Sequence, residues 1–146
     1  MAKKKVRAPI ERGTIFSIYG LATDAKYRVI VAIPFDINLS KNKAKMLTRQ
    51  GKMYTPAQHK AAKAHLLRVL SEACKDHAWK KQTKYWMAIH VQKPNNRSDA
   101  PNFVDAIADV IKLAIGVDDC WMEIEKVTYE VVKDRTDLKI FVSVSQ

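Results

Sequence analysis

The sequence predicts an α+β fold, a single domain in which two main helices pack on a mixed β-sheet of about four strands. Short runs rich in β-branched residues predict the strands, and two longer segments with apolar residues every three or four positions predict the helices. The chain has 146 residues, 47% of them hydrophobic, which suffices for one core. We therefore assign residues 14–146 to one domain and residues 1–13 to a basic, flexible arm.

The charge balance favours a polyanionic partner. Lys and Arg number 26 against 15 Asp and Glu, a formal net charge of +11. Such a surface attracts nucleic acid through counterion release. The sequence shows no secretory signal, membrane span or Gly-rich phosphate loop, so we expect neither a membrane nor a small-molecule partner. Its two cysteines form no C-x-x-C pair, which is typical of a reduced, cytoplasmic protein.

The first strand is predicted at residues 27–34, "YRVIVAIP", and Pro34 ends it. A long polar connection follows, over residues 35–54. A solvated loop would explain why this segment is polar but not why its charged residues are mainly positive. We therefore interpret the segment as a contact to the DNA backbone. Its cations are Lys41, Lys43, Lys45, Arg49 and Lys52. The basic arm at residues 1–13 is either a solubilising tail or a second phosphate contact.

The first helix is predicted to start at "TPAQ", with Thr55 as its N-cap, Pro56 at its first position and Gln58 completing a capping box. We expect it to end near His77. Residues at helical spacing form its predicted apolar face, namely Ala57, Ala61, Ala64, Leu67, Leu70 and Cys74.

Three further strands are predicted. "YWMAIHV", residues 85–91, alternates as a half-buried strand does, and His90 is interpreted as a hydrogen-bonded histidine rather than a catalyst. "EIEKVTYEVVK" and "LKIFVSV" read as the last two strands. "DRTD" between them fits a hairpin.

An acidic segment lies between these strands. A helix is predicted over residues 102–115, ended by Gly116 and preceded by Asp99 as a cap. Its predicted apolar face is formed by Phe103, Ala106, Ile107, Val110, Ile111 and Ala114.

Asp118 and Asp119 follow Gly116, near the negative end of the helix dipole, where capping gives no reason to concentrate acid. The aspartates of this segment are either the solvated side of the helix or ligands of a divalent cation, since Mg²⁺ takes carboxylate oxygens. A helix of this length spans about 20 Å. Asp99 and Asp119 therefore meet only if the chain folds back.

The order of these motifs resembles RusA-type Holliday junction resolvases, a family common in bacteriophages and prophages. Their D-x-D-N motif corresponds here to Asp99-Ala100-Pro101-Asn102, and their later D-D pair to Asp118-Asp119. "IPFDINLSKNK", "GKMYTP" and "VTYEVVKDRTDLKIFVSV" also match in order. The resemblance covers residues 30–146.

The resemblance implies a homodimeric endodeoxyribonuclease that resolves four-way DNA junctions with Mg²⁺, which Mn²⁺ can replace. The implied metal ligands are Asp99, Asp105, Asp118 and Asp119, and Asn102 joins them as a catalytic residue. Lys93 and Arg97 are added to the loop cations as DNA contacts. In the family, both acidic elements assemble the site at the dimer interface.

The chain departs from the family pattern at two positions. Pro101 replaces the second aspartate, and Asp105 replaces the lysine expected in the helix. Either Asp105 supplies the missing ligand and Lys93 or Lys112 the missing cation, or the protein binds DNA without cutting it well. A nuclease that acts on flaps or forks is a further alternative.

Overall fold

Two helices lie against one face of a four-stranded mixed sheet, as the sequence predicts. The structure is a computed structural model, and it describes residues 25–43, 45–96 and 99–146. The predicted arm at residues 1–13 lies outside the described residues. The elements are β1 (Arg28–Pro34), β2 (Met46–Leu47), β3 (Met53–Tyr54), α1 (Ala57–Cys74), β4 (Tyr85–Lys93), α2 (Val104–Ile115), β5 (Met122–Val131) and β6 (Lys139–Ser145). No helix among the described residues is both long and apolar enough to cross a membrane.

The strand order of the sheet is β1-β6-β4-β5. β6 is antiparallel to both of its neighbours, whereas β4 and β5 are parallel. The chain segment containing α1 therefore connects β1 to β4 across β6, and α2 connects the adjacent strands β4 and β5. This topology sets both acidic elements at the ends of α2.

The predicted hairpin between the last two strands is wrong, because β4 lies between β5 and β6. The connection crosses the end of β4, where the Val132 N–H donates to the Lys93 carbonyl at 2.8 Å. β6 is buried along nearly its whole length, which suits an interior position. β5 carries more exposed charged residues and forms the edge.

β4 is also not half-buried as predicted. Tyr85, Met87, Ile89 and Val91 face the helices, and the residues between them are largely buried on the opposite face. The reason is that β4 has a neighbouring strand on each side. The His90 ring is fully buried there and lies 2.7 Å from Thr128 Oγ1 and 2.9 Å from Glu130 Oε2, consistent with a hydrogen-bonded histidine.

The buried face of α1 agrees with the predicted one at Leu70 and Cys74 but differs in its first half. Its buried residues are His59, Ala62, Leu66, Leu70 and Cys74, whereas Ala57, Ala61 and Ala64 are exposed. Burying a leucine removes more apolar area from water than burying an alanine, so Leu66 and Leu70 decide the orientation. The capping box is wrong too, since Pro56 occupies the N-cap without a side-chain bond, and the helix ends at Cys74.

The polar connection after β1 contains more structure than predicted. Short 3₁₀ turns at Ile37–Leu39 and Lys41–Lys43 lead into the antiparallel hairpin of β2 and β3. The His59 ring, at 2.6 Å from the Asn38 carbonyl oxygen, ties this connection to α1.

α2 agrees closely with its prediction. It starts at Val104, after a 3₁₀ turn at Ala100–Phe103, and buries the expected face. Gly116 ends it in the left-handed conformation, at φ 71°, and its N–H donates to the Lys112 carbonyl at 2.9 Å. Glycine adopts this conformation without the steric cost that other residues incur.

Candidate active site at the end of strand β4

A cavity of about 470 Å³ lies where the chain leaves β4 and turns into α2. It is lined by Lys93, Asn96, Asp99, Ala100, Pro101, Asn102 and Tyr129. We call this the Asp99 cavity. Its residues come from the last position of β4, the turn before α2 and the edge strand β5, so the sheet and the helix hold it from two sides.

Asp99 occupies the N-cap position of the 3₁₀ turn but does not cap it as predicted. Its side chain makes no capping hydrogen bond, and the residue is exposed. Its backbone carbonyl instead accepts the Asn102 N–H at 3.0 Å. This turn holds Asp99 and Asn102 on the same cavity while the Asp99 carboxylate takes no part in capping.

Lys93, predicted as a DNA contact and as a possible replacement for the missing helix lysine, is a buried residue. The residue is 3% exposed, and its Nζ lies 4.1 Å from the centroid of the Tyr129 ring, a cation–π contact. Lys93 lines the same cavity as Asp99 and Asn102. The sequence analysis did not identify Tyr129 or Asn96 as site residues. The signal available for Tyr129 was an aromatic residue in a strand that contains several charged residues.

Asp118 and Asp119 lie at the other end of α2. The Asp118 side chain accepts the Cys120 N–H at 3.1 Å and caps a 3₁₀ turn at Asp119–Trp121, so capping does explain this carboxylate. The same hydrogen bond lowers the pKa of Asp118. Burial raises the pKa of the neighbouring Tyr85 to about 12, and the charges of Asp119 and Asp118 add to the effect.

The two acidic elements are far apart within one subunit. Parallel pairing sets Tyr85 opposite Met122 and Lys93 opposite Val131, so Asp119 precedes one end of the strand pair and Asp99 follows the other. The nine residues of β4 separate those ends by roughly 26 Å at about 3.3 Å per residue. Asp105 is exposed on the first turn of α2.

The predicted set of four aspartates is therefore not gathered in one subunit. The described part of the chain contains no group of three or more His, Cys, Asp or Glu residues that could hold a metal ion. The Asp99 cavity offers one carboxylate and the amide oxygens of Asn96 and Asn102. Mg²⁺ is often held by one or two carboxylates, completed by water and substrate phosphate, so this donor set fits in part and lacks a second carboxylate.

The predicted DNA-contacting cations of the loop are all at the surface. Lys41 and Lys43 lie in a 3₁₀ turn, and Lys45, Arg49 and Lys52 belong to the hairpin region. Each of these residues is exposed. Arg97 lies outside the described residues.

The two thiols are expected to differ sharply in reactivity. Cys120 is exposed, whereas Cys74 is buried in the core, and burial raises its pKa to about 11. Desolvation and the nearby Asp118 also raise the pKa of Cys120, but its thiol is exposed. An aromatic disulfide reagent at pH 8 should therefore label only Cys120 in the native protein, because the Cys74 thiol is both inaccessible and protonated. Both thiols should react in denaturant. Native labelling of Cys74 at the rate of Cys120 would contradict the packing of α1.

Comparisons with known proteins leave the family open. No family model matches the chain, and no curated protein matches it. Among solved structures, the cell wall anchor of the T6SS from Pseudomonas aeruginosa is similar, with a TM-score of 0.39 and 11% identity over 91% of this chain and 92% of that one. A likeness at this level supports no conclusion about the fold or the function of this chain.

Proposed function

We propose that this protein is a Mg²⁺-dependent endonuclease that acts as a homodimer on branched DNA, with the four-way junction as its substrate. The observation that carries the proposal is the Asp99 cavity, which gathers Asp99, Asn102 and Lys93 at one turn of the chain. A carboxylate, an amide and a cation are the groups that phosphodiester hydrolysis uses to hold a metal ion and a phosphate. The basic surface of the chain supports a nucleic-acid substrate.

Each group in the Asp99 cavity has a defined part in the proposal. Asp99 and Asn102 present oxygen ligands, and Mg²⁺ bound there supplies Lewis-acid stabilisation of charge on the phosphate oxygens. Lys93 brings positive charge to the phosphate and takes the part of the missing helix lysine. The contact with Tyr129 holds its ammonium group in place. Asp105 and Asp118 remain candidate ligands whose carboxylates lie outside the cavity lining.

A homodimer would supply the second carboxylate. β5 is a ten-residue strand at the edge of the described sheet, with Ile124 and Tyr129 exposed among charged residues. A strand at the edge of a sheet presents backbone N–H and C=O groups that can pair with another strand. Antiparallel pairing of β5 with the same strand of a second copy sets the start of one strand beside the end of the other. Asp119 of the partner subunit would then approach the Asp99 cavity. Two-fold symmetry creates two such sites, one for each strand to be cut.

The exposed cations of the loop would grip the DNA backbone. The positively charged residues of this surface are Lys41, Lys43, Lys45, Arg49 and Lys52. Contacts of this kind position the duplex arms without reading their sequence, and they weaken as salt rises. Specificity for junctions then comes from the spacing of the two sites in the dimer.

A non-catalytic DNA-binding protein on the same scaffold is the second candidate. Two observations favour it: Pro101 stands where the family has an acid, and the described residues of one subunit contain no cluster of three acidic or other metal-binding side chains.

Incubation with Mg²⁺ and synthetic junction, flap and duplex substrates tests the proposal. We expect paired, symmetric nicks in the junction and little cutting of the duplex, because only a junction presents two strands to both sites. Binding without cleavage in Mg²⁺ or Mn²⁺ would support the non-catalytic candidate. Preferential cutting of the flap would instead indicate the flap- or fork-directed alternative.

A further inference from the structure

A groove of about 500 Å³ runs between α1 and α2, and it shares no lining residue with the Asp99 cavity. Its lining residues are Lys45, Thr55, His59, Lys60, Lys63, Ala64, Leu67, Asp109, Val110 and Leu113. We call it the helix groove. Lys45 and Thr55 flank the β2–β3 hairpin, so the hairpin begins at the rim of the groove.

The floor of the helix groove is apolar and accessible in part: Val110 is buried, Leu67 is half-buried and Ala64 is exposed. Leu67 and Val110 come from facing positions of the two helices, and Ala64 lies one turn before Leu67 along α1. Leu113 extends this surface and is 65% exposed, an unusual position for leucine on a helix that otherwise buries its apolar residues. The β2–β3 hairpin, which Lys45 and Thr55 flank, also exposes the side chains of Met46, Leu47, Met53 and Tyr54, although none of them lines the groove. Exposed apolar surface is typical of a site that binds another molecule.

The charge around this floor is mainly positive. Lys45, Lys60 and Lys63 line the groove together with one carboxylate, Asp109. Lys63 Nζ lies 3.2 Å from Asp109 Oδ2, so the opposite charges of these two residues cancel. The groove therefore carries a net positive rim, formed by Lys45 and Lys60, over an apolar floor.

We propose that the helix groove binds an acidic, amphipathic peptide segment of a protein partner. Apolar side chains of the peptide would cover Ala64, Leu67 and Leu113, and its carboxylates would meet Lys45 and Lys60. A groove between two helices is a common receptor for such a segment. DNA fits less well, because a phosphate backbone offers nothing apolar to cover the floor. This binding site goes beyond nuclease activity, and it shares only Lys45 with the loop cations assigned above to the DNA backbone.

Fluorescence anisotropy with a short labelled peptide tests the proposal. The probe is a synthetic peptide with Leu and Phe at helical spacing, every three or four positions, and with Asp and Glu between them. We expect saturable binding that weakens as salt rises. Lys60→Glu should weaken it roughly tenfold, because attraction becomes repulsion. Leu113→Ala should weaken it roughly fivefold through lost apolar contact. Both residues are exposed, so neither change should affect folding.

Matched controls make the result specific to the groove. Lys81→Glu changes an exposed lysine outside the groove by the same charge and should leave peptide affinity unchanged. A probe with Ala in place of Leu and Phe should bind at least roughly tenfold more weakly. The proposal is overturned if the peptide does not bind, or if Lys60→Glu and Lys81→Glu have equal effects. It is also overturned if Leu113→Ala weakens junction binding or self-association rather than peptide binding.

Discussion

Asp99→Asn should lower Mg²⁺-dependent cleavage of a four-way junction by about 10³-fold, since a metal ion contributes several kcal/mol of transition-state stabilisation. The amide keeps the size of the side chain but removes its negative charge. Junction binding should stay within about twofold of wild type, because phosphate contacts dominate affinity. Single-turnover cleavage rates and gel-shift affinities without Mg²⁺ measure the two effects separately. Asp119→Asn should behave in the same way.

Asp76→Asn is the matched control. Asp76 is an exposed aspartate after α1 and lines none of the cavities described above, so its change should leave both rates and affinities unaltered. Full cleavage by Asp119→Asn, with normal junction binding, would rule out a role for that carboxylate in the chemistry.

A mixture of the two inactive variants should regain activity if each site combines Asp99 of one subunit with Asp119 of the other. After subunit exchange, about half of the dimers are heterodimers, and each has one site with both aspartates intact, giving about a quarter of the wild-type sites. The product should be single nicks rather than paired ones. If both aspartates came from the same subunit, each heterodimer would have two damaged sites, and mixing would restore nothing.

Phe103→Ala should lower the free energy of unfolding by about 3–5 kcal/mol, a large share of the stability of a small domain. Phe103 is fully buried, and its ring lies edge-on to that of Phe35 at 5.8 Å between centroids. The truncation leaves a cavity where the turn that carries Asp99 joins the core. Urea unfolding measures this loss. The slope of the free energy of unfolding against urea concentration should stay unchanged.

Leu113→Ala is the appropriate comparison, because Leu113 lies on the next helix at 65% exposure. Its change should alter stability by no more than about 0.5 kcal/mol. A loss below about 1.5 kcal/mol for Phe103→Ala would show that the turn before α2 is anchored elsewhere.

Local patterns were sufficient for much of this fold. The α+β class, the first strand, the buried face of α2 and its end at Gly116 follow from periodicity and from the backbone freedom of glycine. α2 was predicted well because its apolar and charged residues separate cleanly around the helix. α1 was predicted poorly because alanines and leucines lie on several of its faces, and the contacts of Leu66 and Leu70 decide which face is buried.

Several features of the candidate site depend on contacts between distant residues. A hairpin between β5 and β6 is a local expectation, but the sheet gains more burial by placing the apolar strand β6 in its interior, next to β4. That order puts Tyr129 beside Lys93, so the cation predicted to contact DNA or to replace the missing lysine is buried and lines the Asp99 cavity. The same order separates Asp99 from Asp119 within a subunit.

Apart from the short β2–β3 hairpin, the sequence by itself determined which segments form helices and strands and where most acidic and basic side chains fall along them, because these depend on neighbouring residues. Only the tertiary structure decided which of those side chains meet. Strand order and helix orientation are set by the total apolar area that the whole chain buries, a quantity that no short motif contains.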